Sequence, residues 1–256
     1  MTNLTTSSRG TRVLGALALL GAAWLVVLAL VISPADQTQG ELVRLMYVHV
    51  PSAWLSYLAF SLTALGSAMY LWKRSQWWDL VAASAAEIGV MFCGLALVTG
   101  MIWGRPTWGS YWEWGDARLV TTLVLFLMFV GYLAVRRIPA EAHLRSRRTA
   151  FVALLAVIDI PVVHYSVKWW RTLHQQATVL STDFDPKFDD LMLFTLIFGL
   201  AVFTVTFAWL MVHRFRVAWL EEQVNEAALT EAIEARHAEV TSAVLAAPDP
   251  VLERSS

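Results

Sequence analysis

Cysteine, charge and the motifs of soluble enzymes are all scarce in this chain. The single cysteine, Cys93, excludes an internal disulfide. Charged residues make up only 15 % of the 256, where a soluble domain carries roughly 25 %. The net charge of −1 comes without a basic stripe, so nothing here would hold nucleic acid. No glycine-rich nucleotide loop occurs, and no 20–50 residue repeat that would signal a solenoid.

Apolar residues, by contrast, reach 57 %. They gather in six segments, Val13–Ile32, Leu45–Trp72, Leu80–Trp103, Leu119–Val135, Thr149–Val167 and Leu191–Val212. Each approaches or exceeds the ~18–20 residues needed to span a bilayer as a helix. The expected fold is therefore all-α, a polytopic membrane protein with six transmembrane helices. The first segment carries no charge and outlasts the roughly 7–15 residue core of a signal peptide, so it reads as an uncleaved anchor.

Orientation follows from the lysines and arginines. Arg9, Arg12, Lys73, Arg74, Arg136, Arg137, Arg145, Arg147, Arg148, Arg214 and Arg216 fall on one side. The other side receives fewer: Arg44, Arg105, Arg118, Lys168, Arg171 and Lys187. Both termini are expected in the cytoplasm. The connections after the first, third and fifth spans should then be neighbours on the outer face. Residues 1–217 form the membrane domain, with an outer loop at 103–118. Residues 218–256 form an acidic, helix-patterned cytoplasmic tail (Leu220, Val224, Ala227, Ile233) that ends in the loose run APDPVLERSS.

The most unusual stretch is WGRPTWGSYWEWGDARL, Trp103 to Leu119. Trp103, Trp108, Tyr111, Trp112 and Trp114 are interrupted by Gly104, Pro106, Gly109 and Gly115, a mixture that argues for a loop. A loop this apolar must lie against something, either the membrane interface, where Trp and Tyr settle, or a flat apolar ligand.

Histidine placement bears on that choice. His143 and His237 sit among cytoplasmic charges and read as solvated, and His213 beside Arg214 reads as an interfacial anchor. His49, in RLMYVHVPSAW, precedes Pro51, which suits an early helical position. It lies 23 residues before Trp72, roughly 35 Å at ~1.5 Å per residue, and so at the outer boundary of the hydrocarbon. His174, in SVKWWRTLHQ, falls at or just beyond the same boundary. An interfacial hydrogen-bonding role is open to each, but two ionisable groups on one face beside a tryptophan loop also fit a functional site. Haem would use both, with imidazoles for its iron, aromatic rings for its faces and cations for its propionates. Zinc fits less well, because no third ligand lies close in sequence. No Cys-x-x-Cys-His run offers covalent attachment of a c-type haem. Deeper in the membrane, Glu87 and Asp159 each need a partner. His164 is expected to contact Asp159, and Pro161 to kink the fifth span.

The run WGRPTWGSYWEWGDARL resembles the signature W-G-x-P-x-W-G-x-x-W-x-W-D-x-R-L of haem-handling proteins in cytochrome c biogenesis. MYVHVPSAW and SVKWWRTLHQ are similar to the histidine-bearing flanks of one branch, the haem exporter C family. The resemblance covers all six helices. It implies that His49 and His174 ligate a transient haem b from its two sides, over a platform formed by Trp103, Trp108, Trp112, Trp114, Asp116 and Arg118. It further implies a non-enzymatic carrier in a bacterial cytoplasmic (inner) membrane, with its haem site on the periplasmic side. Such a carrier passes haem to a periplasmic haem chaperone. It works beside ATP-binding cassette subunits and a small single-span membrane protein. The alternative within the superfamily is a haem lyase that attaches haem to apocytochrome. Those proteins carry more helices and further histidines. Gly115 is an added residue relative to the signature, and the expectation is that it loops out as a bulge. Asp116 would then still meet Arg118 or another basic group and brace the loop.

Overall fold

The computed structural model describes residues 6–174 and 189–246; Lys187 and the final run from residue 247 lie outside the described residues. Helix α1 (Arg9–Val27) begins at a capping box between Ser8 and Thr11. It runs into a π-helical turn, Leu28–Ile32. A 3₁₀ turn, Glu41–Leu45, leads into α2 (Met46–Lys73), with Pro51 in its second turn. There follow α3 (Gln76–Trp108), α4 (Ala117–Arg137), α5 (Ala142–Ala156), α6 (Asp159–Trp169) and α7 (Asp190–Ala246). With α5 and α6 counted as one span, six helical segments among the described residues are long and apolar enough to cross a membrane. The all-α, six-span expectation holds.

Helices α2 and α3 form the most extensive pairing. Small residues on α3, from Ala82 to Ala86 and then Gly89, let the backbones close up, which is how helices associate without a hydrophobic driving force between them. At Gly89 a Cβ would stand 2.6 Å from the Phe60 ring, and at Gly66 one would stand 3.0 Å from the Trp78 carbonyl. Phe60 in turn stacks on Phe129 of α4, ring centres 3.8 Å apart, at the centre of the core.

The fifth span is broken where Pro161 requires it. Proline clashes with the carbonyl four residues earlier, that of Val157, and α5 gives way to α6 at Val157–Ile158. The expected His164–Asp159 contact is not made. The break restarts the helix at Asp159 and leaves its Oδ2 buried without a hydrogen-bond partner. His164 packs edge-on against Tyr165 instead.

At the end of the bundle that holds Lys73 and Arg136, charged groups pair between spans. Arg136 donates to Asp79 at 2.8 and 2.6 Å, a buried two-pronged pair. Glu87 finds its partner in Arg214 of α7, which donates Nη2–H at 2.8 Å and also Nε–H. His143 is not simply solvated. Although exposed, it bonds Tyr70 at 2.9 Å, because the α4–α5 turn folds back over the end of α2. His213 bonds Thr6 at 3.0 Å beside Trp209, and His237 is exposed. Helix α7 continues unbroken past residue 217, so the tail is a prolongation of the last span. Glu222 is tied to Gln76 and Arg145 at its base, and residues 223–242 are exposed.

Candidate functional site

The three connections expected to be neighbours do meet. Trp103 Nε1 donates to Gln39 at 2.8 Å, joining the first connection to the end of α3. Asp116 gathers the segment after α6. The aromatic stretch itself needs correcting: Trp103 to Trp108 is helix, not loop. Here α3 runs on through Gly104 and Pro106 and ends at Gly109, whose φ of +83° makes the left-handed cap that glycine favours. Packing decides this. Gly104 is buried under the Trp108 ring, which a Cβ would meet at 3.0 Å, and Thr107 donates its hydroxyl to the Trp103 carbonyl at 2.7 Å. The irregular part is 109–116. It closes in a turn in which Asp116 N–H donates to the Glu113 carbonyl at 3.1 Å. Gly115 occupies this turn with no positive φ, so the added residue is absorbed as a reverse turn and uses no special glycine geometry.

A cleft opens among α2, α3, α4 and the segment after α6. Its lining includes His49, Tyr57, Gly100, Arg118, Thr122 and His174, so residues 125 positions apart line one cleft. His49 projects from α2 toward α3, where its Nδ1 lies 3.1 Å from Thr99 Oγ1. The one proton of that hydroxyl is directed at the carbonyls of Leu95, at 2.7 Å, and Ala96, at 3.1 Å. Thr99 therefore accepts from His49 Nδ1–H, and the lone pair of the imidazole is left on Nε2. The edge of Trp103 closes this side, ring centres 5.8 Å apart.

His174 is held in the same way by a charged partner. Its Nδ1 donates to Asp116 Oδ1 at 3.1 Å, and Trp108 lies edge-on with ring centres 4.7 Å apart. Asp116 caps α4 by accepting from Leu119 N–H at 2.9 Å, and it also accepts from the Thr172 hydroxyl at 2.5 Å and Leu173 N–H at 2.7 Å. Burial opposes ionisation here, but the bonds from His174, Thr172, Leu119 and Leu173 outweigh it and hold the carboxyl well below the usual carboxylate range. The basic group that Asp116 meets is thus His174 and not Arg118. Arg118 faces the cleft, donating to the His164 carbonyl at 3.0 Å while its Nε–H is buried without a partner.

The remaining tryptophans of the stretch pack on each other. Trp112 packs edge-on against Trp114, with its indole N–H buried and unpartnered. Trp114 itself is 73 % exposed. Arg44 does not reach the cleft, since its guanidinium caps the end of the first span at the Ala29 and Ser33 carbonyls. Arg105 is spent on the Gly109 carbonyl at 2.8 Å and on the face of Tyr111. Among the described residues no group of three or more His, Cys, Asp or Glu is placed to hold a bare metal ion. Sequence reasoning missed Thr99 and Gly100. Their only signal was a polar–small pair inside the apolar run ALVTGMIW, at the depth of His49.

Comparison with known proteins adds an independent line. The family described as Heme exporter protein C matches residues 2–230. A Heme exporter protein C from Bradyrhizobium diazoefficiens is 37 % identical over 218 residues, covering 83 % of this chain and 82 % of the relative. One from Haemophilus influenzae is 35 % identical over 200 residues, covering 78 % and 80 %. One from Escherichia coli K12 is 39 % identical over 154 residues, covering 60 % and 62 %. With the family match running over residues 2–230 and relatives at this level of identity, this chain belongs to the Heme exporter protein C family.

Proposed function

We propose that this protein binds haem between His49 and His174 and delivers it to a periplasmic haem chaperone during cytochrome c biogenesis. The family handles haem as a maturation component and not as a catalyst, and the finer reading rests on the cleft. The observation that carries it is the matched pair of imidazoles. They come from distant positions, line one cleft, and each spends Nδ1–H on a neighbour so that Nε2 keeps its lone pair. An imidazole that ligates a metal is ordinarily oriented by such a second bond.

The other residues fit the same cargo. Arg118 brings a buried, unpartnered N–H to the cleft, a donor suited to a propionate. Trp103 and Trp108, each packed edge-on against one of the two histidines, supply ring surface beside them. The cavity is about 70 Å³, well short of the roughly 300–1,000 Å³ of a small-molecule pocket. A macrocycle would thus enter by spreading the two histidine walls and would lie largely across the mouth, within reach of a second protein. When bound, haem supplies the iron that the imidazoles hold; this chain's own part is to orient, shield and release it.

In this reading both termini are cytoplasmic and the cleft faces the periplasm of a bacterial inner membrane. The excess of arginine at the opposite end of the bundle supports that orientation. ATP-binding cassette subunits and a small single-span protein would complete the assembly. The test is haem loading of the chaperone in membranes that carry His49→Ala or His174→Ala. Each single change should cut loading sharply while the protein stays inserted. Wild-type loading in both would overturn the assignment.

A further inference from the structure

We propose that Thr99 and Gly100 of α3 are the seat of His49, with Thr99 as a positioning residue that fixes which imidazole nitrogen faces the cargo. The inference rests on the proposed ligand role of His49 and adds residues that no sequence motif singles out.

Two contacts define the seat. Thr99 is buried, and its Oγ1 lies 3.1 Å from His49 Nδ1 with its own proton committed to the preceding turn of α3. It can therefore serve the imidazole only as an acceptor, which places the proton on Nδ1 and the lone pair on Nε2. At the next residue, a Cβ on Gly100 would stand 3.0 Å from His49 Cε1 and 3.5 Å from Nδ1. Only a residue without a side chain lets the ring lie this close to α3. One turn further on, Trp103 closes the ring's edge. The rotamer of His49 is thus fixed by packing, and the Thr99 hydroxyl is the side-chain acceptor that orients its Nδ1–H.

The two histidines are supported unequally. Asp116, an anion, backs His174, whereas a neutral hydroxyl backs His49. A carboxylate raises the basicity of the imidazole it orients, and a threonine does so far less. Thr99 accordingly acts by orientation, which makes its contribution separable from charge.

The test uses the full-length protein, purified in detergent and titrated with ferric haem, and reads affinity together with the absorbance spectrum. Thr99→Val keeps the side-chain shape and removes the acceptor. It should weaken haem binding by about 10–100-fold, the usual effect of losing such an orienting bond, and convert part of the six-coordinate spectrum to a five-coordinate one. Thr99→Ser should restore both readouts. Gly100→Ala, which crowds the ring at its Cε1 edge, should weaken haem binding in the same direction, and unchanged binding there would remove Gly100 from the seat. In a His49→Ala background, Thr99→Val should add no further loss, because it acts only through that imidazole. Unchanged binding in Thr99→Val, with His49→Ala impaired, would overturn the proposal and leave the ligand reading standing. An equal loss from Thr99→Val with and without His49 would also overturn it, by showing a purely structural role. Wild-type binding in His49→Ala would remove the ligand reading and this proposal with it.

Discussion

At Asp116 four donors converge on two carboxylate oxygens, and this convergence sets what a single substitution should do. Asp116→Asn keeps the shape and retains one good acceptor for the bonds from Leu119, His174, Thr172 and Leu173. Leaving buried donors unmatched costs on the order of 1–3 kcal/mol, and His174 also loses the anion that orients it. A lower thermal midpoint together with a roughly 10–100-fold loss of haem affinity is expected. The pH dependence has a definite sign. The folded carboxyl titrates below its ordinary value of about 3.9. Its stabilising contribution is therefore complete above that value and is lost only as pH falls through the lower, folded one. Protonation of Asp116 itself should therefore add no step to the thermal midpoint between about pH 5 and 8. A step in that window traced to Asp116 would contradict the geometry. The choice of Asp116 and His174 was legible in their motifs. That they bond each other was not, because they lie 58 positions apart.

At the scale of elements, the aromatic stretch separates into a helical end and a turn, and its glycines separate accordingly. Gly109 holds φ at +83°, where any side chain is strained by about 1–2 kcal/mol. Gly115 has no positive φ, and the nearest atom to an added Cβ is the flexible Glu113 carboxylate at 3.7 Å. Gly109→Ala should therefore lower the thermal midpoint measurably, and Gly115→Ala should leave it within about 0.5 kcal/mol of wild type. Trp114 presents most of its ring to the outside, so Trp114→Ala should preserve the midpoint yet reduce haem transfer. Equal transfer at equal stability would mean that the ring serves only the membrane interface. The helical part of this stretch was not readable, because Gly104 and Pro106 disfavour a helix locally while burial beneath Trp108 favours it. The break in the fifth span was readable, because a proline clash is a local event independent of tertiary packing.

Across the whole molecule, the six spans were legible because bilayer thickness fixes the length of apolar sequence that crossing demands. The ion pairs between spans were not. Asp79 with Arg136, and Glu87 with Arg214, join positions 57 and 127 apart, and only the packing of α3 against α4 and α7 brings them together. Among the described residues, the prolongation of α7 has its last side-chain ties to the bundle at Glu222, with residues 223–242 exposed. Truncation after residue 225 should therefore leave membrane insertion, thermal midpoint and haem binding at wild-type levels. A large drop in midpoint would show that the extension supports the bundle. The central claim, that two histidines 125 positions apart in the chain hold haem together, is tested most directly by the ferric spin state of the haem-loaded protein. Electron paramagnetic resonance of wild type should show a low-spin centre with two imidazole ligands. His49→Ala and His174→Ala should each convert it to a high-spin or singly ligated species. Retention of the wild-type low-spin signal in both variants would contradict the account.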